Sequence, residues 1–332
     1  MPHTPRRPLL RPAIGRRALT AGLAVACLTA GTAAASPASR AAGPAVDLSI
    51  TAQPAHLAPG SRGVQRLSVA NAADRATTGP TLVSYATPAY TNIDRKKALP
   101  HGCRIAYSNA DPIIPEVVTC LLPAGIAKGK DRAVDIPVTV TTRARLTGQV
   151  RGRASVLPAP GSKDVEADTN NNWTMAHLSV TRPTPATPPG NTVGLWLAQS
   201  DGVVDRDGKA ELTLRYGNVG PHRTRDDAKI VLTTPLLIKV DTEEGLPRGC
   251  AFALDDRTPG VPQIVVCDRR VHGIEWEDDL TVPLTTQPGV PRGLTSGTAL
   301  IAPADPGDVD ADQTDNLSVA VVRVPARNAS TQ

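Results

Sequence analysis

Aromatic residues are scarce in this sequence, which has 8 Phe, Trp and Tyr residues among 332. Single-stranded nucleic acids and sugars are commonly bound on platforms of exposed aromatic rings. About four aromatic residues per domain are too few for such platforms. Small apolar residues, 32 prolines and 27 glycines are abundant instead, and this composition favours many short strands joined by turns over long helices.

A basic stripe is also missing, although the formal charge is +5. The first 35 residues hold five arginines and no acidic residue, and the rest of the chain has 31 basic and 31 acidic residues. Because the excess charge belongs to the N-terminus, the high pI gives no reason to expect nucleic acid as a partner.

Catalytic signatures are absent as well. The sequence contains no G-x-S-x-G, no H-E-x-x-H and no phosphate-binding P-loop, and its six histidines show no metal-ligand spacing. We therefore predict a protein that is not an enzyme. The alternative is a secreted hydrolase whose site is built from residues without a recognisable motif, such as acidic pairs at the rim of a domain.

No run of 18 apolar residues follows the N-terminus, so we expect no transmembrane segment there. Arg16 and Arg17 precede the apolar run 18–30 and the small residues 32–35, which predicts a signal peptide over 1–35 and a flexible leader over 36–45. The protein is then secreted, through the general or the twin-arginine route. Lipidation at Cys27 is the alternative, but Ala24 stands where a lipoprotein signal has leucine.

The chain repeats itself at a fixed distance. Residues 99–120 recur at 246–267 without a gap, and Leu99, Pro100, Gly102 and Cys103 match residues 147 positions further on. This self-similarity predicts two copies of one domain. Prolines at 183, 185, 188 and 189 mark the boundary as an extended linker. The predicted domains span 46–182 and 192–325, with a linker at 183–191 and a polar tail at 326–332.

Both copies show the alternation of polar and apolar residues that is typical of strands. Leu67 and Val69 match Leu214 and Tyr216, and about seven or eight such segments per copy predict a β-sandwich. One pair of matching strands contains Pro137 and Pro283. Since proline has no N–H for a ladder, these strands are predicted to lie at a sheet edge or a bulge.

The cysteines other than Cys27 form two pairs, each 17 positions apart. An even number of cysteines in an exported protein indicates disulfides. Each copy is self-sufficient only if Cys103 joins Cys120 and Cys250 joins Cys267. A tetrathiolate zinc site is the rival interpretation, but the C-x-x-C pairs that it needs are missing.

Acidic residues alternate in a turn near the end of each copy. In the second copy Asp308, Asp310 and Asp312 are candidate ligands for calcium, which prefers hard oxygen donors. The alternative is that these residues satisfy the backbone of their own turn, as Asp and Asn commonly do.

Several of these features together resemble the conserved-repeat Ig-like domains of bacterial surface and secreted proteins, and the related cell-adhesion-type Ig-like modules. They are the turn at residues 216–221, the Leu-Pro-x-Gly-Cys turn of both copies and the Asp/Asn-rich turn before the last strand. The resemblance implies an all-β chain of two tandem Ig-like β-sandwich domains. It also implies a spacer, adhesion or binding module whose partner is an unknown protein or cell-envelope component.

The proline-stiffened loops at 111–115 and 258–262 offer another function. Each loop is bracketed by a cysteine pair, and a preorganised loop of this kind suits a protease inhibitor.

Overall fold

A computed structural model describes residues 43–141, 148–180, 190–271, 273, 275–290, 292–305, 307–310, 312 and 314–325. Within these ranges the structure contains β-strands and no helix, and the strands form two sandwiches of the same design. The predicted class of two tandem Ig-like β-sandwiches is confirmed. Among the described residues no helix has the length and apolarity needed to cross a bilayer.

The first sandwich packs a four-stranded sheet, in the order β2-β4-β9-β6, against a six-stranded sheet in the order β3-β12-β10-β5-β8-β7. A short parallel pair, β1 with β11, closes one end. The strands are β1 (Ala45–Val46), β2 (Leu48–Ala52), β3 (Ala55–Leu57), β4 (Arg62–Asn71), β5 (Thr81–Ala86), β6 (Thr91–Ile93), β7 (Cys103–Tyr107), β8 (Val117–Leu122), β9 (Arg132–Val140), β10 (Gly148–Pro158), β11 (Val165–Glu166) and β12 (Trp173–Val180).

The second sandwich repeats this arrangement strand for strand. Its strands are β13 (Asn191–Val193), β14 (Leu195–Gln199), β15 (Gly202–Val203), β16 (Lys209–Asn218), β17 (Ala228–Thr233), β18 (Ile238–Val240), β19 (Cys250–Leu254), β20 (Ile264–Arg269), β21 (Trp276–Thr286), β22 (Gly293–Pro303), β23 (Asp308–Asp310) and β24 (Leu317–Val324). Its sheets run β14-β16-β21-β18 and β15-β24-β22-β17-β20-β19, with β13 pairing β23.

The core of each sandwich is filled by alternate residues of the facing strands. Leu67 and Val69 are completely buried in the first sandwich, and their counterparts Leu214 and Tyr216 occupy the second. Burial of side chains of this size contributes about 1.5–3 kcal/mol each. The period of two seen in the sequence is therefore the period of core burial.

The prediction that the proline strands lie at a sheet edge or a bulge is wrong, and their pairing with β4 and β16 runs without a register shift. Both β9 and β21 have neighbours on two sides. Pro137 lies just beyond the end of the three-residue strand β6, and its carbonyl accepts a hydrogen bond from Asp94 N at 2.9 Å. Pro283 and Asp241 N make the same bond. Each proline therefore sits where the neighbouring short strand stops, and no ladder bond from its nitrogen is needed.

The asparagines that end β4 and β16 organise the same turn in both copies. The Asn71 side-chain oxygen accepts from Asp47 N at 3.2 Å, and its amide donates to Ile126 O at 2.9 Å. The oxygen of Asn218 accepts from Gly194 N at 3.0 Å. Each carboxamide ties the end of its own strand to the residue just before β2 or β14, so the matching asparagines are structural.

The predicted signal peptide, the leader up to residue 42, Cys27, most of the linker and the polar tail lie outside the described residues. Those assignments, and the exact domain boundaries, stay predictions.

Candidate functional site

The outer faces of the two six-stranded sheets pack against each other, in a contact that we call the junction. Strand residues alternate between faces, so Ile230 and Leu232 fill the second core while Val231 faces the junction. The buried apolar cluster of the junction draws on both sandwiches and consists of Ala86, Ile113, Ile114, Val117, Val231, Ile264 and Ala302.

The loop between Cys103 and Cys120 reaches across the junction. Ile113 and Ile114 are 7% and 8% exposed and belong to the same cluster as Val231. Within this loop Asp111 forms an ion pair with Lys229 of the second sandwich, with 2.5 Å between Oδ2 and Nζ. The loop is thus held to the second sandwich by apolar packing and by one partly buried ion pair.

The equivalent loop of the second sandwich makes the reciprocal contact. Gly260 has a φ of +86° and approaches so closely that an added Cβ would lie 1.8 Å from Leu82 Cδ2 of the first sandwich. Leu82 and Lys229 hold equivalent positions in β5 and β17. Each sandwich therefore offers the same position of a central strand to the loop of the other, which is how an isologous interface is built.

This burial removes the basis of the inhibitor hypothesis. An inhibitory loop must be free to enter a protease cleft, but Ile113 and Ile114 are buried in the junction and Val261 is 3% exposed. The proline-stiffened loops are preorganised for each other's sandwich.

A groove of about 650 Å³ opens beside the second loop. Its lining is mainly apolar and comes from both sandwiches, with Leu82 and Leu157 on one side and Leu237, Pro259 and Val290 on the other. Ligand sites in proteins commonly have this size and this mainly apolar character, with a few polar groups. Val165, which also lines the groove, is 46% exposed and so is reachable from solvent.

Two carboxylates and Arg292 supply the charge of the groove. Although burial raises it, hydrogen bonds from the Thr78 hydroxyl and from the backbone of Gly79 and Thr78 hold the pKa of Asp164 below its ordinary value. Burial raises the pKa of Glu166 to about 7. This wall is therefore less negative near neutral pH than two ordinary carboxylates would make it.

The candidate calcium ligands lie at β23 and the following turn, and each carboxylate already accepts hydrogen bonds. Asp308 accepts from Arg225 N at 2.8 Å, Asp310 from Asn316 Nδ2 at 2.9 Å, and Asp312 from Thr314 Oγ1 at 2.6 Å. Among the residues that the structure describes, no three acidic, histidine or cysteine side chains converge as a metal site. The calcium site stays a prediction.

Asp310 has a counterpart in Glu166 that the sequence did not reveal. Each carboxylate accepts a hydrogen bond from the first residue of a core strand, Leu195 N at 3.1 Å and Leu48 N at 3.2 Å respectively. Burial raises the pKa of Asp310 to about 7, as it does for Glu166. The two residues are 144 positions apart, so a search at the offset of 147 does not pair them.

Two disulfides, Cys103–Cys120 and Cys250–Cys267, join directly opposed residues of β7 with β8 and of β19 with β20. Both bridges lie at the edge of a six-stranded sheet. Each bridge closes the loop that crosses the junction, so it limits the conformations open to that loop.

A second pocket, of about 520 Å³, lies on the first sandwich near β6. Glu116 is 1% exposed and accepts hydrogen bonds from Ile93 N at 2.5 Å and from Arg95 Nη2 at 2.6 Å. In the second sandwich Gln263 takes its place and accepts from Val240 N at 2.7 Å. Because a neutral glutamine serves equally well, the role of Glu116 is to hold β6 in place.

No protein-family model matches the chain, and no curated protein matches it in sequence. Solved bacterial structures align with it at low similarity. The seventh ScaB type I cohesin of Pseudobacteroides cellulosolvens covers 43% of this chain and 97% of its own, with 11% identity and a TM-score of 0.29.

Two further alignments span most of this chain. The C-terminal domain of the Streptococcus pyogenes antigen I/II-family protein AspA covers 84% of this chain and 99% of its own, with 10% identity and a TM-score of 0.24. Escherichia coli α2-macroglobulin covers 85% of this chain at 15% identity and a TM-score of 0.22, but this chain spans only 17% of that protein. Similarity at this level carries no conclusion on function, and the Ig-like assignment rests on the strand order given above.

Proposed function

We propose that this protein is a non-enzymatic, extracellular binding or adhesion module in which the two sandwiches act as one rigid body. The observation that carries the proposal is the reciprocal packing of the two cysteine-bracketed loops, each on the central strand of the other sandwich. A rigid body presents its surface loops at a fixed separation, which reduces the entropy lost on binding.

Two observations support an extracellular location. Both cysteine pairs are disulfide-bonded, and disulfides persist in oxidising compartments. The N-terminal residues have the pattern of a signal peptide.

The groove beside the second loop is the part of this surface where we place the partner, a protein or cell-envelope component. It is formed by both sandwiches, so it exists only while the junction is closed. A partner bound there contacts both domains and therefore requires their closed arrangement.

A pull-down tests the proposal. The purified protein is immobilised and exposed to cell-envelope fractions and culture supernatant, and we expect specific retention of a partner. Val165→Glu at the groove should reduce retention at least tenfold. Leu121→Glu is the matched control, because Leu121 is 53% exposed and does not line the groove.

Two results would count against this proposal. Equal loss of retention in both variants would place the partner elsewhere. Turnover of a substrate that is abolished by replacing one acidic residue would show an enzyme instead.

A further inference from the structure

Arg153 is a cation buried at the junction without an acidic partner. It lies on the outer face of β10 and is 4% exposed. Its one hydrogen-bond partner among the described residues is the Ser296 hydroxyl of the second sandwich, with 3.3 Å between Nε and Oγ. No described carboxylate lies within ion-pair distance. A buried charge is costly unless it is paired.

The guanidinium remains charged at neutral pH. Burial lowers the pKa of Arg153 to about 9, which still leaves the group protonated at pH 7. The positive charge therefore persists inside the junction, and one neutral hydroxyl does not compensate it.

A small cavity of about 20 Å³ lies beside this guanidinium. Trp173 also lines it, and the buried indole Nε1 has no acceptor. The rest of the polar lining consists of Ser155, Thr169, Asn172 and Thr295, and the cavity has no acidic residue in its wall. A space of this size holds one particle as large as a water molecule. Its surroundings are rich in hydrogen-bond donors and carry net positive charge.

The second copy shows that the fold itself does not require these groups. By strand register Thr298 is the counterpart of Arg153, and Leu317 is the counterpart of Trp173. A sandwich of this design therefore forms without the cation or the indole. Both groups are found only in the first copy, on the face that meets the second.

We propose that this cavity binds one small monovalent anion of the halide class, between the Arg153 guanidinium and the Trp173 indole N–H. The anion supplies the missing countercharge and an acceptor for the indole. Since Arg153 and Trp173 come from one sandwich and Ser296 and Thr295 from the other, the bound anion stabilises the closed junction.

Bromide provides a direct test, because its anomalous scattering locates it in crystals of the intact protein grown or soaked in sodium bromide. We expect a peak between Arg153 and Trp173. In solution, replacing sodium gluconate by sodium chloride at constant ionic strength should raise Tm by about 2 °C or more, since a ligand of the native state stabilises it by mass action.

Substitutions identify the site. Arg153→Met removes the charge at similar volume and should abolish both the peak and the chloride-dependent rise in Tm. The matched control Arg104→Met, at an exposed residue, should keep both. If Arg153→Met does not fold, the bromide map of the parent protein decides. A cavity that holds only water, together with equal Tm in chloride and gluconate, overturns the proposal.

Discussion

At the scale of single residues, the two copies use different side chains to bind the first backbone N–H of a core strand. Glu166 and Asp310 each reach from a peripheral strand to the first backbone N–H of a core strand. Both carboxylates are largely buried, and burial raises the pKa of each to about 7. The hydrogen bond to Leu48 or Leu195 opposes this rise without cancelling it.

These raised pKa values predict a stability that falls with increasing pH. In the unfolded chain the carboxyl groups titrate near pH 4, so the folded state binds more protons between about pH 4 and 7. The contribution of these two groups to the free energy of unfolding should therefore be largest below about pH 4.5 and should decrease as the pH rises through 7. The rise is about three pKa units and one unit corresponds to about 1.4 kcal/mol, so we expect a loss on the order of 3–4 kcal/mol per group.

Urea unfolding between pH 4.5 and 8 measures this effect. The double variant Glu166→Gln, Asp310→Asn should show a flatter profile and higher stability than the parent at pH 8. Glu211→Gln, at an exposed residue, serves as the control and should leave the slope unchanged. A parent whose stability increases steadily from pH 4.5 to 8 would contradict the assignment.

At the scale of elements, the sequence predicted the strands where two signals agreed. The alternation of Leu67 with Val69 and its recurrence at Leu214 and Tyr216 located strands that the structure contains. The place of the proline strands in their sheets was mispredicted. The neighbouring strand β6 has only three residues and ends before Pro137, so the proline nitrogen needs no partner. The length of a neighbouring strand cannot be deduced from the sequence of the proline strand alone.

Removal of either disulfide should destabilise the protein by about 3 kcal/mol, because a closed loop of this length restricts the unfolded chain. The matched pair of variants is Cys103→Ala with Cys120→Ala, and Cys250→Ala with Cys267→Ala. Denaturant midpoints compare them with the parent. Midpoints equal to that of the parent would mean that the bridges do not constrain the unfolded state.

The calcium hypothesis predicts a higher Tm in millimolar calcium than in chelator, because a ligand of the native state raises apparent stability. Asp312→Asn, at an exposed position, should remove the increase. An identical Tm with calcium and with chelator would show that Asp308, Asp310 and Asp312 serve their own turn through the hydrogen bonds described above.

At the scale of the whole molecule, the sequence predicted two domains but not their contact. The linker at 183–191 suggested a spacer, whereas the described residues of the two sandwiches pack directly on each other. The residues responsible differ between the copies: Ile113 and Val231 belong to the apolar cluster of the junction, and Gly260 packs against Leu82. Nothing in the repeat marks these positions, because the repeat preserves the core positions and the contact depends on the others.

The electrostatic part of the junction can be tested by charge exchange. Asp111→Lys alone places two cations together and should lower the free energy of unfolding relative to the parent. Asp111→Lys with Lys229→Asp restores opposite charges and should recover part of this loss. Both variants carry Asp111→Lys, so a higher stability of the double variant shows that the opposite charges at positions 111 and 229 attract each other. Equal behaviour would mean that apolar packing alone closes the junction.

Residual dipolar couplings of backbone amides in the two sandwiches test the central claim, that the protein is one rigid body, most directly. Amides of a rigid body report a single alignment tensor. We predict that couplings measured separately for the first and second sandwich fit one tensor of common magnitude and orientation, and that Asp111→Lys makes the two tensors diverge. Two tensors of different magnitude in the parent protein would show that the sandwiches move independently and would contradict the account.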